Sequence, residues 1–290
     1  MESPTRRRLS GMLAGVFACV CAASVAHAAT GRAKESGIFA LLSGTPKVSA
    51  TLRVTDPAGL SGTLDIREFA QGDKPILAYD IDMEHIMHMI IIRDDFATFD
   101  HVHPAFNATT GTFSQHFTKE PNHRYYVYAD TTPRGFPQQV FRFTLDSVGP
   151  VEDDRPSLTP SDRTESAGPY SITLEKTLLP AQRQNTLDLT VLKSGAPAAD
   201  LAPYLGAAAH VVFINTSTLE YVHIHPMLRD KNSRKTSMSS EMNMAMPMEG
   251  KSGPFMQMEL PALPGGTYKV WIQFIGDGKL YTVPFTLLAR

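Results

Sequence analysis

Apolar and polar residues alternate in short runs along most of this chain, and turn-forming residues separate the runs. In the first half the runs include VSATLRV, GTLDIREF, RYYVYAD and VFRFTLD, and the second half repeats the plan with YSITLEK, TLDLTVLK, TYKVWIQF and YTVPFTLL. Alternation with a period of two residues is typical of β-strands that bury one face. Roughly seven or eight such strands in each half predict antiparallel β-sandwiches.

One segment of this pattern occurs twice. The first copy, His88–Pro104, reads HMIIIRDDFATFDHVHP, and the second, His210–Pro226, reads HVVFINTSTLEYVHIHP. Aligned without a gap, both copies read H-x12-H-x-H-P, at an offset of 122 residues. A repeat of this length indicates two tandem domains rather than a solenoid of short repeats.

The predicted fold class is therefore all-β, with two tandem antiparallel β-sandwich domains, Ig-like or cupredoxin-like, that arose by internal duplication. Residues 148–168 are rich in Pro, Ser, Asp and Glu, which favours a solvated linker. The predicted division is a signal peptide at 1–28, a first domain at 29–147, the linker at 148–168 and a second domain at 169–290 with a methionine-rich insertion at 227–252.

The repeated segment also carries the candidate chemistry. Each copy has an apolar β-branched run, a polar turn and a second short strand, which together predict a hairpin. Residues i and i+2 of a strand share a face, and an even number of loop residues places the first histidine about 5 Å across the ladder on that face. Histidine is the commonest protein ligand of zinc and copper. The predicted ligands are His88, His101 and His103 for one ion and His210, His223 and His225 for another.

An alternative interpretation is that these histidines are structural and only hydrogen-bond to the hairpin turns. The recurrence of the H-x-H spacing in both copies favours metal binding.

The insertion of the second domain contains the sequence SMSSEMNMAMPMEG. Thioethers are soft ligands that select Cu(I), and they survive in oxidising compartments. The alternative is a flexible or packing segment. Aligning GTFSQHF with GPFMQMEL places His116 against Met258, so either residue could complete a site. The predicted sulfur ligands are Met238, Met242, Met244, Met246, Met248, Met256 and Met258.

The amino terminus resembles an export signal. Arg6, Arg7 and Arg8 precede a short apolar stretch, and Ala26-His27-Ala28 offers an A-x-A cleavage site. Cleavage after Ala26 is the alternative, and both the general secretory and the twin-arginine routes stay open. We expect an exported, periplasmic or secreted protein with no membrane span in its mature chain, because no later run reaches about 18 apolar residues.

Both cysteines, Cys19 and Cys21, lie inside this expected signal. A mature chain without cysteine excludes disulfides, thiolate zinc sites, iron–sulfur clusters and a cysteine-ligated blue-copper centre. The 27 basic and 29 acidic residues form no basic patch, so we expect no nucleic-acid partner.

The segments MHMIIIRDDFATFDHVHP and AAHVVFINTSTLEYVHIHP resemble those of a family of largely uncharacterised exported bacterial proteins. More distantly, the export signal, the β architecture and the His/Met content are similar to periplasmic copper-handling proteins with Ig-like or cupredoxin-like folds. The family resemblance implies only heavy-metal binding. The favoured function is a non-enzymatic periplasmic protein that binds copper, as Cu(I) or Cu(II), for buffering, delivery or resistance, with zinc as an alternative ion and a periplasmic copper transporter or chaperone as a candidate partner. The absence of a mature cysteine departs from cupredoxins.

Two other functions stay open at this point. H-V-H on a sandwich strand also resembles the copper site of superoxide dismutases, which implies a histidine-ligated copper redox enzyme. That family needs further histidines and a disulfide that this chain does not offer. The third possibility is a structural tandem sandwich without metal.

Overall fold

The computed structural model describes residues 29–32, 34–35, 48–56, 59–151, 155–229 and 252–290. Within these ranges the chain forms β-strands and turns, with no helix. Accordingly, no helix in the described part is long and apolar enough to span a membrane. The expected signal peptide and most of the methionine-rich insertion lie outside the described residues.

The first half of the chain forms a sandwich of two six-stranded sheets. Its strands are β1 (Ala29–Arg32), β2 (Lys34–Glu35), β3 (Val48–Val54), β4 (Ser61–Ala70), β5 (Lys74–Pro75), β6 (Tyr79–Asp80), β7 (Met87–Arg93), β8 (Phe99–Val102), β9 (Ala105–Asn107), β10 (Thr112–Thr118), β11 (Arg124–Pro133) and β12 (Gln139–Asp146). One sheet has the order β1-β3-β4-β10-β9 with β5 beside β4, and the other has the order β2-β12-β11-β7-β8 with β6 beside β11.

The second half forms another sandwich of two six-stranded sheets. Its strands are β13 (Thr164–Ala167), β14 (Tyr170–Leu174), β15 (Leu178–Leu179), β16 (Asn185–Lys193), β17 (Ala196–Pro197), β18 (Leu201–Ala202), β19 (His210–Asn215), β20 (Tyr221–Ile224), β21 (Met227–Leu228), β22 (Phe255–Leu260), β23 (Gly266–Gly276) and β24 (Lys279–Ala289). The sheet orders are β13-β14-β16-β22-β21 with β17 beside β16, and β15-β24-β23-β19-β20 with β18 beside β23.

The strand orders of the two halves match position for position, so that β7 and β8 correspond to β19 and β20. The predicted fold class, two duplicated antiparallel sandwiches, is confirmed. Alternation also places the core as the pattern predicts: along β3 every second side chain is buried, and along β14 the same is true. Each sandwich has its own apolar core between its sheets.

A third apolar cluster joins the two sandwiches. Its buried members are Ile90, Ile92, Phe96, Tyr126, Tyr128, Val212, Ile214, Leu219, Tyr221 and Trp271. The β7 sheet of the first sandwich therefore packs against the β19 sheet of the second. This contact explains why β7 and β19 are continuous apolar runs, since Met89 and Ile91 enter the first core while Ile90 and Ile92 face the other sandwich.

The segment predicted as a solvated linker is packed over its described second part. Arg155 Nη1 donates hydrogen bonds to the carbonyl oxygens of Thr216 and Ser217, at 3.0 and 2.8 Å. Leu158 packs against the interface cluster, and residues 164–167 form the edge strand β13. The described part of this segment is therefore held against the second sandwich by hydrogen bonds and by Leu158, while many of its side chains are exposed to solvent.

Candidate metal centre

The register of each hairpin places its three histidines on one face. In the first hairpin Ile90 pairs with His101 and Met89 with Val102, so the next position brings His88 opposite His103. In the second hairpin Val211 pairs with Ile224, which brings His210 opposite His225 in the same way. This face is the one that carries Ile90 and Val212 into the interface between the sandwiches.

Four of these histidines meet in one cluster. His88, His101, His210 and His223 each offer one ring nitrogen, and the four nitrogens lie within 4.8 Å of one another. His88 Nδ1 lies 3.0 Å from His101 Nε2, and His210 Nδ1 lies 3.1 Å from His223 Nε2. This arrangement differs from the expectation of two separate sites, because each sandwich contributes two ligands to one shared centre.

The first histidine of each motif is anchored by a backbone carbonyl. The ring of His88 donates from Nε2 to the carbonyl oxygen of Asp82 at 3.0 Å, and the ring of His210 donates in the same way to Tyr204, also at 3.0 Å. A carbonyl oxygen can only accept, so each Nε2 carries the proton. Each Nδ1 is then left with a lone pair directed at the centre.

The other two histidines are anchored across the interface. His101 Nδ1 donates to Gln273 Oε1 of the second sandwich at 2.8 Å. His223 Nδ1 lies 3.5 Å from Asp130 Oδ2 of the first sandwich, and Tyr221 donates its hydroxyl to the same oxygen at 3.1 Å. Outer partners of this kind fix the tautomer and the orientation of metal-binding imidazoles.

In the first hairpin the anchored tautomers leave lone pairs facing one another at 3.0 Å, and such pairs repel unless a cation or a proton lies between them. The second hairpin places the matching nitrogens 3.1 Å apart. The donor set therefore fits a metal ion. Imidazole nitrogens suit zinc, copper, iron and nickel. The buried positions of His88 and His210, which are 2% and 1% exposed, would separate a bound ion from water.

Three further imidazoles surround this four-histidine centre. His103 Nε2 lies 3.2 Å from His88 Nδ1. The ring of His225 lies 4.5 Å from that of His210, and its Nε2 is buried without a hydrogen-bond partner among the described residues. His85 stacks on His103, with ring centroids 3.7 Å apart and planes inclined by 14°. From the sequence His85 is expected to be peripheral, because it lies beside the first hairpin but the second copy has no matching histidine.

Burial determines the protonation of the centre. Together with the smaller effect of neighbouring imidazoles, burial lowers the pKa of His101 to about 3, of His103 to about 2 and of His225 to about 4. Burial likewise holds the pKa of His210 and of His223 well below the ordinary value. These imidazoles are therefore neutral near pH 7, the form that binds a metal ion.

These pKa values predict that the metal-free protein loses stability as the pH falls from about 6.5 to 4. The unfolded chain takes up protons on histidine near pH 6.5, whereas the folded chain does not. Burial raises the pKa of Asp130 to about 7 and of Glu68 to about 8, and these two carboxyls act in the opposite direction because the folded chain holds their protons above pH 4. The histidines with lowered pKa values outnumber these two carboxyls, so the net effect of acidification is a loss of stability.

Urea unfolding at a series of pH values measures this dependence. In a variant with His101→Gln and His225→Gln, the free energy of unfolding should fall less steeply with decreasing pH than in the wild type. The difference in slope should be about 1.4 kcal/mol per pH unit for each replaced histidine. Identical slopes in the two proteins would mean that these imidazoles are already protonated in the fold.

The remaining predicted ligands lie elsewhere. Met256 and Met258 are 1% and 0% exposed in the core of the second sandwich, on β22 of the sheet without the histidines. Packing accounts for both, which differs from the expectation that they bind metal.

His116 is exposed on β10 and contacts Ser61 Oγ at 3.3 Å. Because His116 is exposed and Met258 is buried, the two residues do not occupy equivalent positions, contrary to the expected alignment. The insertion methionines Met238, Met242, Met244, Met246 and Met248 lie outside the described residues.

Fold and centre together define a tandem β-sandwich protein with an interdomain histidine cluster that could hold a metal ion. Residues 164–290, which begin with β13, match a family model described as a domain of unknown function (DUF8832). No curated protein matches the chain.

Two solved structures align with most of this chain. One is a two fibronectin type-III domain segment from chicken tenascin, which is 11% identical, with 82% of this chain and 97% of that chain covered and a TM-score of 0.23. The other is titled as an anomalous substructure of titin A168169, which is 10% identical, with 80% and 92% covered and a TM-score of 0.20. Both TM-scores are low, and the fold described above stands on its strand pairings.

Proposed function

We propose that this protein is an exported, non-enzymatic metal-binding protein that holds copper at the four-histidine centre, for buffering, delivery or resistance. The observation that carries the proposal is the set of four ring nitrogens whose lone pairs converge while their outer nitrogens are anchored. A structural role for the histidines would not require lone pairs to face one another at about 3 Å.

Copper is favoured by the donor set and by charge. Among divalent first-row ions, Cu(II) binds a given nitrogen site most tightly, and imidazole also binds zinc. The carboxyl of Asp130, 3% exposed, contacts the ring of His223 and can supply one buried negative charge. Once ionised, this one carboxylate balances a Cu(I) ion fully and a divalent ion only in part, which favours Cu(I) over zinc in a buried site.

Enclosure of the centre favours binding over catalysis. Four protein ligands saturate the usual tetrahedral arrangement, whereas catalytic metal sites keep an open position for water or substrate. The side chain of His223 is 2% exposed, comparable with the burial of His88 and His210. The superoxide dismutase-like alternative needs a position that substrate can reach, so it is less well supported.

Two parts of the proposal, export and a role for the methionine segment, rest on the sequence alone. The A-x-A signal would place the protein in a compartment where copper is handled, and the thioethers would suit Cu(I) supplied to or taken from a transporter or chaperone. Amino-terminal sequencing of protein from fractionated cells tests the export step. Recovery of the uncleaved chain in the cytoplasm would contradict it.

Competition between metals tests the identity of the ion. The protein is loaded with zinc, and one equivalent of copper is added, as Cu(I) with a reductant and as Cu(II) without one. We expect copper to displace zinc in both cases, as measured by the metal content of protein separated from free ions. His116→Ala serves as the control, because His116 is exposed on the other sheet. Retention of zinc in the wild type would overturn the copper assignment.

A further inference from the structure

Two equivalent turns lie beside the four-histidine centre, one from each sandwich. Asp82–His85 is closed by backbone hydrogen bonds of 2.9 and 3.0 Å, and Tyr204–Ala207 by bonds of 2.8 and 3.1 Å. In both turns the two central residues have positive φ angles. The carbonyl of the first residue anchors His88 in one turn and His210 in the other. The backbones of the two turns therefore make equivalent hydrogen bonds to the first histidine of each motif.

The side chains of the two turns differ completely. The first turn reads Asp-Met-Glu-His, which offers carboxylates, a thioether and an imidazole, all of them metal ligands. The second turn reads Tyr-Leu-Gly-Ala, which offers no imidazole, thioether or carboxylate. Because the anchoring uses backbone oxygens alone, the ligand-type side chains of Asp82–His85 are not needed for it. The presence of these ligand-type side chains in the first turn therefore needs a different explanation.

Access to the centre differs between the two sides in the same way. The half-buried ring of Tyr204 packs edge-to-face against His210 at 5.1 Å and against His101 at 6.3 Å, and Gly206 and Ala207 are buried. On the first side Met83 and His85 are half-buried and Glu84 is exposed. Solvent therefore reaches the side that carries the ligand-type residues.

A series of imidazoles connects that side with the centre. His85 stacks on His103 at 3.7 Å, and His103 Nε2 lies 3.2 Å from His88 Nδ1. Asp82, whose carbonyl oxygen anchors His88, brings its carboxylate to the same turn. An incoming cation would meet a negative charge and then successive nitrogen donors.

We propose that the Asp82–His85 turn is the entry and exit point of the metal ion, where His85 binds the ion transiently and His103 passes it to the four-histidine centre. This proposal rests on the proposed function. In the stacked arrangement His85 and His103 cannot hold one ion together, because a bound ion lies in the plane of an imidazole ring and the two planes are nearly parallel. The His85 ring must leave the stack to bind.

The step is a ligand exchange without change of oxidation state. The bond between the ion and a His85 nitrogen breaks as a bond to a His103 nitrogen forms, and each nitrogen supplies its own lone pair. Such a relay lowers one barrier that is crossed in both directions. It therefore changes the rates of uptake and release by the same factor and leaves the equilibrium affinity unchanged.

The experiment follows Cu(I) transfer between the full chain and a chromophoric Cu(I) chelator by stopped flow, in both directions, with wild type, His85→Ala, His85→Met and His116→Ala. We expect His85→Ala to slow uptake and release by about tenfold, or about 1.4 kcal/mol of activation free energy, at unchanged affinity. His85→Met keeps a Cu(I) ligand and should restore most of the rate. His116→Ala should match the wild type.

Faster release with weaker affinity in His85→Ala would make His85 a permanent ligand and would overturn the relay. Unchanged rates would reduce His85 to a stacking partner of His103 and would overturn it equally. Failure of the proposed function itself would appear separately, as a wild type that takes no copper from the chelator.

Discussion

Replacing His88 with alanine is expected to remove strong metal binding from the whole chain, and replacing His210 is expected to do the same. The reason is that both sandwiches contribute ligands to one centre, within a span of 4.8 Å. Each variant should weaken the affinity by more than the roughly 10–100-fold that is typical when an outer partner is lost. Chelator competition on full-length protein, with one tight equivalent in the wild type, measures this loss.

The control for this experiment is His116→Ala, which removes an exposed histidine from β10 and should leave one tight ion in place. The contrary outcome is equally clear. Two tight ions in the wild type, with one remaining in each single variant, would mean that each hairpin holds its own ion, as the sequence motif alone predicts.

Replacing Trp271 with alanine is expected to lower the free energy of unfolding by about 3–5 kcal/mol, the usual cost of truncating a buried aromatic residue. Trp271 is 3% exposed and stacks on Phe99 of the other sandwich, with ring centroids 4.7 Å apart. It also lies two positions before Gln273, whose side chain anchors His101 across the interface. Metal affinity should therefore fall together with stability.

Urea unfolding followed by circular dichroism measures the stability, since the variant lacks the single tryptophan of the chain. Trp271→Phe is the matched control, because it keeps an aromatic ring against Phe99. It should lose much less stability and much less metal affinity than Trp271→Ala. A variant that loses stability but keeps full metal affinity would show that the four-histidine centre does not depend on the interface.

Much of the fold could be predicted from local pattern. Strand periodicity is set by the alternation of side chains within a few residues, so the two sandwiches and both hairpins follow from the sequence. The placement of His88, His101 and His103 on one face follows in the same way, because a hairpin register depends only on its own loop. Met256 and Met258 show the limit of composition, since a methionine serves a core as readily as a metal.

By itself, then, the sequence determined the duplicated all-β fold and two sets of three histidines, each on a single strand face. Only the tertiary structure decided that the two faces meet, that Gln273 and Asp130 hold histidines of the opposite sandwich, and that His85 joins the series. The physical reason is distance along the chain. His101 and Gln273 are 172 residues apart, and no local propensity specifies a contact between side chains that only the packing of two separate sheets brings together.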